Sequence, residues 1–181
     1  MALTVTPGGN SDDALVSLVA FKLYADAMGM DYSASIDTEI EQAIRRGTAW
    51  VEGLGGPTAR RATRWPGVRT NAEQRRVWPR TGAAYLDGTP INSATIPAPV
   101  EEATIVAAFY DLKNPGILHS QITPSDVVKS ASAGPTKVEF FGSDGDNMNL
   151  RPMLTLVIDL LSGILIPDLD GPFFMFRAVG S

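Results

Sequence analysis

The chain has 181 residues, 44% of them hydrophobic, with no cysteine and one histidine, His119. This length suits one domain with a sizeable core, and the composition excludes disulfides, a cysteine nucleophile and a cysteine zinc site. The formal net charge is −5, but seven arginines and one acid between Ala59 and Arg80 give that stretch a charge of +6 and leave eight bases and 19 acids elsewhere, a net −11.

Three helices are predicted in the first two thirds of the chain. Ser17 can cap a helix over 18–28 that ends at Gly29. Thr38 and Glu41 fit a capping box for a second helix, which ends at the "GLGGP" of 53–57. The third begins at "IPAPVEEA", where proline is tolerated in the first turn, and runs to about Lys113. Because this helix is apolar on most sides, we expect it to be central.

The last third predicts a hairpin, a short helix and an arm. Strands over 126–131 and 136–141 flank a Gly-Pro turn, and a fourth helix over 151–161 carries Pro152 in its first turn. The expected fold is mainly α: a small helical bundle with long ordered loops, a short β-hairpin and an extended C-terminal arm. Its expected divisions are an N-terminal segment (1–16), a helical domain (17–162, with the hairpin at about 126–141) and the arm (163–181).

Export and membrane signals are weak. The start, "MALTVTPGGN", has no basic or apolar region of signal-peptide type. The longest apolar run, 153–166, is interrupted by polar residues and is shorter than the ~20 residues of a membrane span. A soluble chain with no membrane partner is expected.

The arginine-rich segment, defined here as 59–80, contains no lysine and two tryptophans. Arginine is preferred where a planar fork must hold phosphate or carboxylate. One interpretation is therefore a contact surface for nucleic acid or an acidic protein. The alternative is a solvated loop whose arginines pair with the acidic remainder. The candidate contact residues are Arg60, Arg61, Arg64, Trp65 and Arg69.

Catalytic signals are missing from the sequence. A triad or histidine metal site would depend on His119 alone, and "GLGGPT" is not a phosphate-binding loop. The acids Glu101, Glu102, Asp111 and Asp126 have no partner constellation, and the Asp144-x-Asp146 pair lacks the rest of a calcium loop. We expect no enzyme activity, no catalytic residue, no metal and no cofactor.

The order of these motifs resembles a known family over roughly 18–161. It comprises "YADAMG", "EIEQAIRRGTAWVEGL", "RWPGVRTNAEQRRVWPRTGAAYLDGTPI", "IPAPVEEATIVAAFYDL" and the hairpin "VVKSASAGPTKVEFF". The chain resembles the head–tail connector, or adaptor, family of tailed bacteriophages, some of whose members carry the label "DnaT-like single-stranded DNA-binding protein". The resemblance implies a homo-oligomeric ring, usually of twelve subunits, in the virion neck, assembled in the host cytoplasm. Its implied partners are the portal, a head-closure or tail-completion protein, and genomic DNA that passes without sequence-specific binding.

In such a ring, the loop after the arginines is expected to clasp the next subunit. Trp78, Arg80 and Tyr85 suit interface anchors, together with Arg75 and Arg76. The alternative is that the loop folds back over its own bundle and Trp78 fills a local gap. If the loop is an interface, replacing Trp78 and Arg80 by alanine should weaken association and leave the bundle folded. The channel wall is then expected to be acidic or neutral, with the arginines turned toward protein.

The C-terminal tail carries "PFFMFR". Exposed aromatic residues favour docking, on this domain or on another chain. The missing helical period and the two prolines, Pro167 and Pro172, predict that residues 164–181 are poorly ordered in an isolated subunit. The resemblance implies that this segment binds the portal, and the expected contacts are Phe173, Phe174, Phe176 and Arg177. A different function also stays open, that of a single-stranded DNA-binding module, which would need a basic groove with stacked aromatic residues.

Overall fold

Four α-helices dominate the described part of the chain, which in this computed structural model comprises residues 2–55, 63–119, 130–133, 136–139 and 154–167. They are α1 (Leu18–Ala27), α2 (Asp37–Glu52), α3 (Ala98–Lys113) and α4 (Thr155–Leu161). Short 3-10 turns follow α2 at Gly53–Gly55 and α3 at Ile117–His119. The predicted mainly α fold is confirmed.

The β-structure of the described ranges consists of three antiparallel pairs of short strands. In the arginine-rich segment, β1 (Thr63–Arg64) pairs with the distant β6 (Ile166–Pro167), and β2 (Val68–Arg69) pairs with β3 (Arg80–Thr81). The predicted hairpin is present as β4 (Ser130–Ala133) and β5 (Thr136–Glu139), paired from Ser130↔Glu139 to Ala133↔Thr136. Its turn and the outer ends of the predicted strands lie outside the described residues.

Helix starts follow local capping chemistry with two corrections. The Ser17 hydroxyl accepts a hydrogen bond from the Ala20 N–H at 3.1 Å, as predicted. The capping box predicted at Thr38 is wrong by two residues: the Glu39 carboxylate accepts from the Ile36 N–H at 3.1 Å, so α2 begins at Asp37. The fourth helix begins at Thr155 after an extended Leu154, later than expected, and residues 151–153 lie outside the described part.

The core is built around α3, which packs against α1, α2 and α4. Its buried side chains lie on several faces, so the predicted central helix is confirmed. They are Val100, Ala103, Thr104, Ile105, Ala107, Ala108 and Asp111. One close approach to α2 is at Gly47, where an added Cβ would lie 2.8 Å from the backbone nitrogen of Ala108. Because glycine has no side chain, the two helix backbones can meet there.

Both flanking segments contribute to the same core. Ala14, Leu15 and Val16, in the predicted N-terminal segment, are buried, and the Leu15 N–H donates to the Thr48 hydroxyl at 3.2 Å. At the other end, Ile164 and Leu165 are buried. The described start of the predicted arm therefore packs on the bundle and continues into β6. The division of the chain at residue 163 stays a prediction.

Candidate functional site

Trp65 and Trp78 are the buried centre of the arginine-rich segment. Their rings meet edge to face, with centroids 5.9 Å apart and an interplanar angle of 80°. The Trp65 indole N–H donates to the Glu52 carbonyl at 3.1 Å, and Trp78 is fully buried, its indole nitrogen having no partner among the described residues. Neither ring offers a free face to a base. Trp78 lies in the chain's own core, as in the alternative that the sequence left open.

Arg76 ties the segment to the rest of the fold. It donates to the Glu52 carboxylate and to the Asp12 carbonyl, both at 3.0 Å. The second oxygen of the same carboxylate accepts from the Val77 N–H at 2.9 Å. Glu52 is the last residue of α2, so this one acid fixes both the arginine and the backbone leading to Trp78.

Arg75 makes a similar attachment nearer the surface. Its guanidinium lies 3.0 Å from the Asp13 carboxylate, which also contacts Arg45 at 3.4 Å. The Arg75 N–H donates to the Gly9 carbonyl at 3.2 Å. Arg75 and Arg76 therefore brace the N-terminal segment against the loop, as the alternative of arginines paired with the acidic remainder predicts.

Gln74 is a bracing residue that the sequence analysis missed. It is buried, and its amide donates to the carbonyls of Arg76 at 2.8 Å and Pro79 at 3.0 Å. Its oxygen accepts from the Asn71 N–H at 3.0 Å. A single glutamine in a polar stretch has no periodicity, so only its burial reveals this role.

Arg80 differs from the other bracing arginines because its partners are neutral. Its guanidinium donates to three carbonyls, those of Pro66 at 2.5 Å, Gly67 at 2.6 Å and Val77 at 3.2 Å. Arg69 lies directly opposite on β2. Burial, with a smaller contribution from the charge of Arg69, lowers the pKa of Arg80. The positive charge here is held by dipoles and is not neutralised by an acid of the described residues.

Arg64 and Arg69 are exposed on short strands, and neither forms an ion pair with a described residue.

Tyr85 is half-buried against the core, in a turn where the Asp87 carboxylate accepts from the Thr89 N–H at 2.8 Å. Hydrogen bonds from the backbone and the side chain of Thr89 lower the pKa of Asp87. Whether Tyr85 contacts another subunit stays a prediction.

Several candidates lie outside the described residues, namely Arg60, Arg61, Asp126, Phe173, Phe174, Phe176 and Arg177. In the described ranges, no group of three or more histidine, aspartate or glutamate residues could hold a metal ion. Of the acids considered for catalysis, Asp111 pairs with Arg46 at 2.5 Å and accepts from the Gly116 N–H at 3.1 Å. Nor do these ranges contain a helix both long and apolar enough to cross a bilayer.

Fold and site together define a small, mainly helical protein whose arginine-rich segment is anchored to the bundle and leaves a few cations at the surface. Over residues 1–180 the chain matches the family described as "Putative DnaT-like ssDNA binding protein". The chain belongs to this family. The match carries the DNA-binding label that the sequence left as the alternative and gives no support to the name head–tail connector. Comparisons with curated proteins and with solved structures found no match.

Proposed function

We propose that this protein binds single-stranded DNA through the sugar–phosphate backbone. The observation that carries the proposal is the family match, which spans residues 1–180 and whose description names single-stranded DNA binding. The arginine-rich segment supports it, because Arg64 and Arg69 are exposed without an acid partner in the described residues. Such cations attract phosphate whatever the base.

Binding by base stacking on Trp65 and Trp78 is not part of this proposal. Stacking needs an exposed aromatic face, and both rings are buried in the chain's own core. Contact with the sugar–phosphate backbone of the DNA alone predicts weak affinity for the bases, little sequence preference and a binding constant that depends strongly on salt. The formal net charge of −5 limits affinity further, because a negatively charged protein repels DNA.

The test is fluorescence anisotropy of a labelled oligothymidylate with the full-length chain at several salt concentrations. The logarithm of the binding constant should fall with the logarithm of salt by about 0.7 for each phosphate neutralised on a single strand. A mixed-sequence oligonucleotide of equal length is the control and should bind with similar affinity. A lack of binding at low salt would reject the proposal.

A second candidate function is the ring-forming connector between phage head and tail. One observation favours it in addition to the sequence resemblance: Val19 and Leu23, one turn apart on α1, are 66% and 67% exposed. Apolar side chains on one helix face favour contact with another protein. The proposed partners are further copies of the chain, the portal and the next neck protein, and the proposed location is the virion neck.

Native mass spectrometry separates the two candidates. A connector is expected to form a closed ring of identical subunits, with or without added DNA. A module that only binds DNA is expected to be a small species that gains the mass of the oligonucleotide. Val19→Ser with Leu23→Ser should convert a ring to monomers if the exposed face of α1 is the contact. Leu156→Ser, on α4 and 55% exposed, is the control and should leave a ring intact.

A further inference from the structure

The arginines in the described ranges fall into two groups by their partners. Four form ion pairs with acids: Arg45, Arg46, Arg75 and Arg76. Three have no ion pair with a described residue: Arg64, Arg69 and Arg80. The second group lies entirely in β1, β2 and β3. In this part of the protein, the arginines that lack an ion pair are therefore concentrated on one set of short strands.

Two of these cations are held opposite each other. In the antiparallel pair of β2 and β3, Arg69 and Arg80 are direct partners. Directly opposite residues project from the same face of a sheet, with Cβ atoms about 4.5–5.5 Å apart. Like charges in such a pair destabilise the strands, and the charge of Arg69 contributes to the lowered pKa of Arg80. A bound anion would relieve this repulsion.

Arg80 is fixed in place before any ligand arrives. Three of its five N–H groups are used by the carbonyls of Pro66, Gly67 and Val77. Gly67 has φ of 63°, a backbone conformation that L side chains rarely adopt, and its carbonyl is one of the three acceptors. Two N–H groups remain, and the side chain is half-buried. A guanidinium held in this way loses little conformational entropy on binding an anion.

We infer that Arg69 and Arg80 form a phosphate-binding pair that holds one phosphodiester of a single strand. Arg80 supplies a fixed, partly desolvated charge, and exposed Arg69 closes over the anion from the opposite strand. Arginine suits this role because its planar N–H groups match the oxygens of phosphate. The inference rests on the proposed function for the identity of the ligand, while the anion site itself rests on the strand geometry.

Arg69→Gln is expected to weaken binding without lowering stability. The loss of one charge-assisted contact should weaken binding of an oligothymidylate of about 12 nucleotides by about tenfold and reduce the salt slope by about 0.7. The melting temperature should stay the same or rise, because the repulsion with Arg80 is removed. Lys113→Gln, which removes an exposed cation at the end of α3 and outside the arginine-rich segment, is the control. Since Lys113 is expected to contact no phosphate, this variant should change binding by less than about twofold.

The outcomes of these measurements decide whether Arg69 and Arg80 form a phosphate-binding pair. Equal loss of binding in Arg69→Gln and Lys113→Gln would show that any surface cation contributes alike and would reject the pair. A lower melting temperature in Arg69→Gln would show that Arg69 stabilises the fold and would also reject it. Titration with inorganic phosphate, followed by NMR at the arginine Nε–H groups, distinguishes the remaining cases. Shifts at both residues without oligonucleotide binding would retain the anion site and reject single-stranded DNA as its ligand, and no shifts and no binding would reject both.

Discussion

Gly47→Ala is expected to destabilise the protein, although alanine is the better helix former. Gly47 lies inside α2 and faces α3, and a Cβ built there would lie 2.8 Å from the backbone nitrogen, 3.0 Å from the Cα and 3.1 Å from the Cβ of Ala108. Two of these three atoms belong to the α3 backbone. Because backbone atoms cannot move to another rotamer, the helices themselves would have to separate.

Two opposing contributions set the magnitude. Replacing glycine by alanine within a helix stabilises it by about 1 kcal/mol. Overpacking in a well-packed core costs about 1–3 kcal/mol, occasionally more, and the backbone contacts place Gly47→Ala at the upper end. The expected net loss is about 1–2 kcal/mol in the free energy of unfolding. Ala108→Gly should not rescue it, because the contacts with the nitrogen and Cα of residue 108 remain.

The assay is urea denaturation followed by circular dichroism, with the midpoints compared at constant slope. Gly163→Ala is the control, since a Cβ there would meet no atom within 4 Å, and it should leave the midpoint nearly unchanged. An unchanged or higher midpoint in Gly47→Ala would refute the close approach of α2 and α3 at this position.

Three further predictions concern buried and titratable groups. Trp78→Ala should lower the free energy of unfolding by about 3–5 kcal/mol, because the ring is fully buried. Circular dichroism with analytical ultracentrifugation should show unfolding of the variant. A variant that stays folded and changes only its association would contradict this. In urea denaturation, Arg46→Met should lose about 3 kcal/mol and Asp111→Asn about 2 kcal/mol. Arg46→Met costs more because it leaves the charge of the fully buried Asp111 without a partner, whereas Asp111→Asn leaves Arg46, which is 33% exposed, in contact with water. The reverse order would contradict this. Burial, followed by the charge of Glu102, raises the pKa of Glu101 above 4.5. The wild type should therefore gain stability relative to Glu101→Gln as pH falls from neutrality through that raised pKa. A difference in unfolding free energy between the two proteins that does not change with pH would contradict this.

The helices could be predicted from the sequence because their signals are local. The Ser17 cap, the apolar stripe of α2 and the proline at the start of α3 each depend on residues within one or two turns. The start of α2 was missed because Thr38 and Glu41 satisfy the same spacing as Ile36 and Glu39. Both pairs are three residues apart, and the sequence does not show which of the two backbone N–H groups, that of residue 36 or that of residue 38, needs a side-chain acceptor.

The environment of the arginine-rich segment could not be predicted from the sequence. Glu52 and Asp12, which accept the hydrogen bonds of Arg76, lie 24 and 64 residues away in the chain. The pairing of β1 with β6 joins Arg64 to Ile166. Such contacts depend on how the helices pack, and no periodicity encodes them. For the same reason, the sequence could list both roles of Trp78 but could not choose between an exposed anchor and a core residue.

Oligothymidylate affinity as a function of salt shows whether this protein binds single-stranded DNA and whether it does so through the phosphates. Full-length wild type and Arg69→Gln should be titrated with the labelled strand under identical conditions, with melting curves recorded in parallel. We expect salt-dependent binding by the wild type, about tenfold weaker binding by the variant, and a melting temperature that does not fall in the variant. A wild-type protein that leaves the strand unbound at low salt, while remaining folded, would contradict the claim that this protein binds single-stranded DNA.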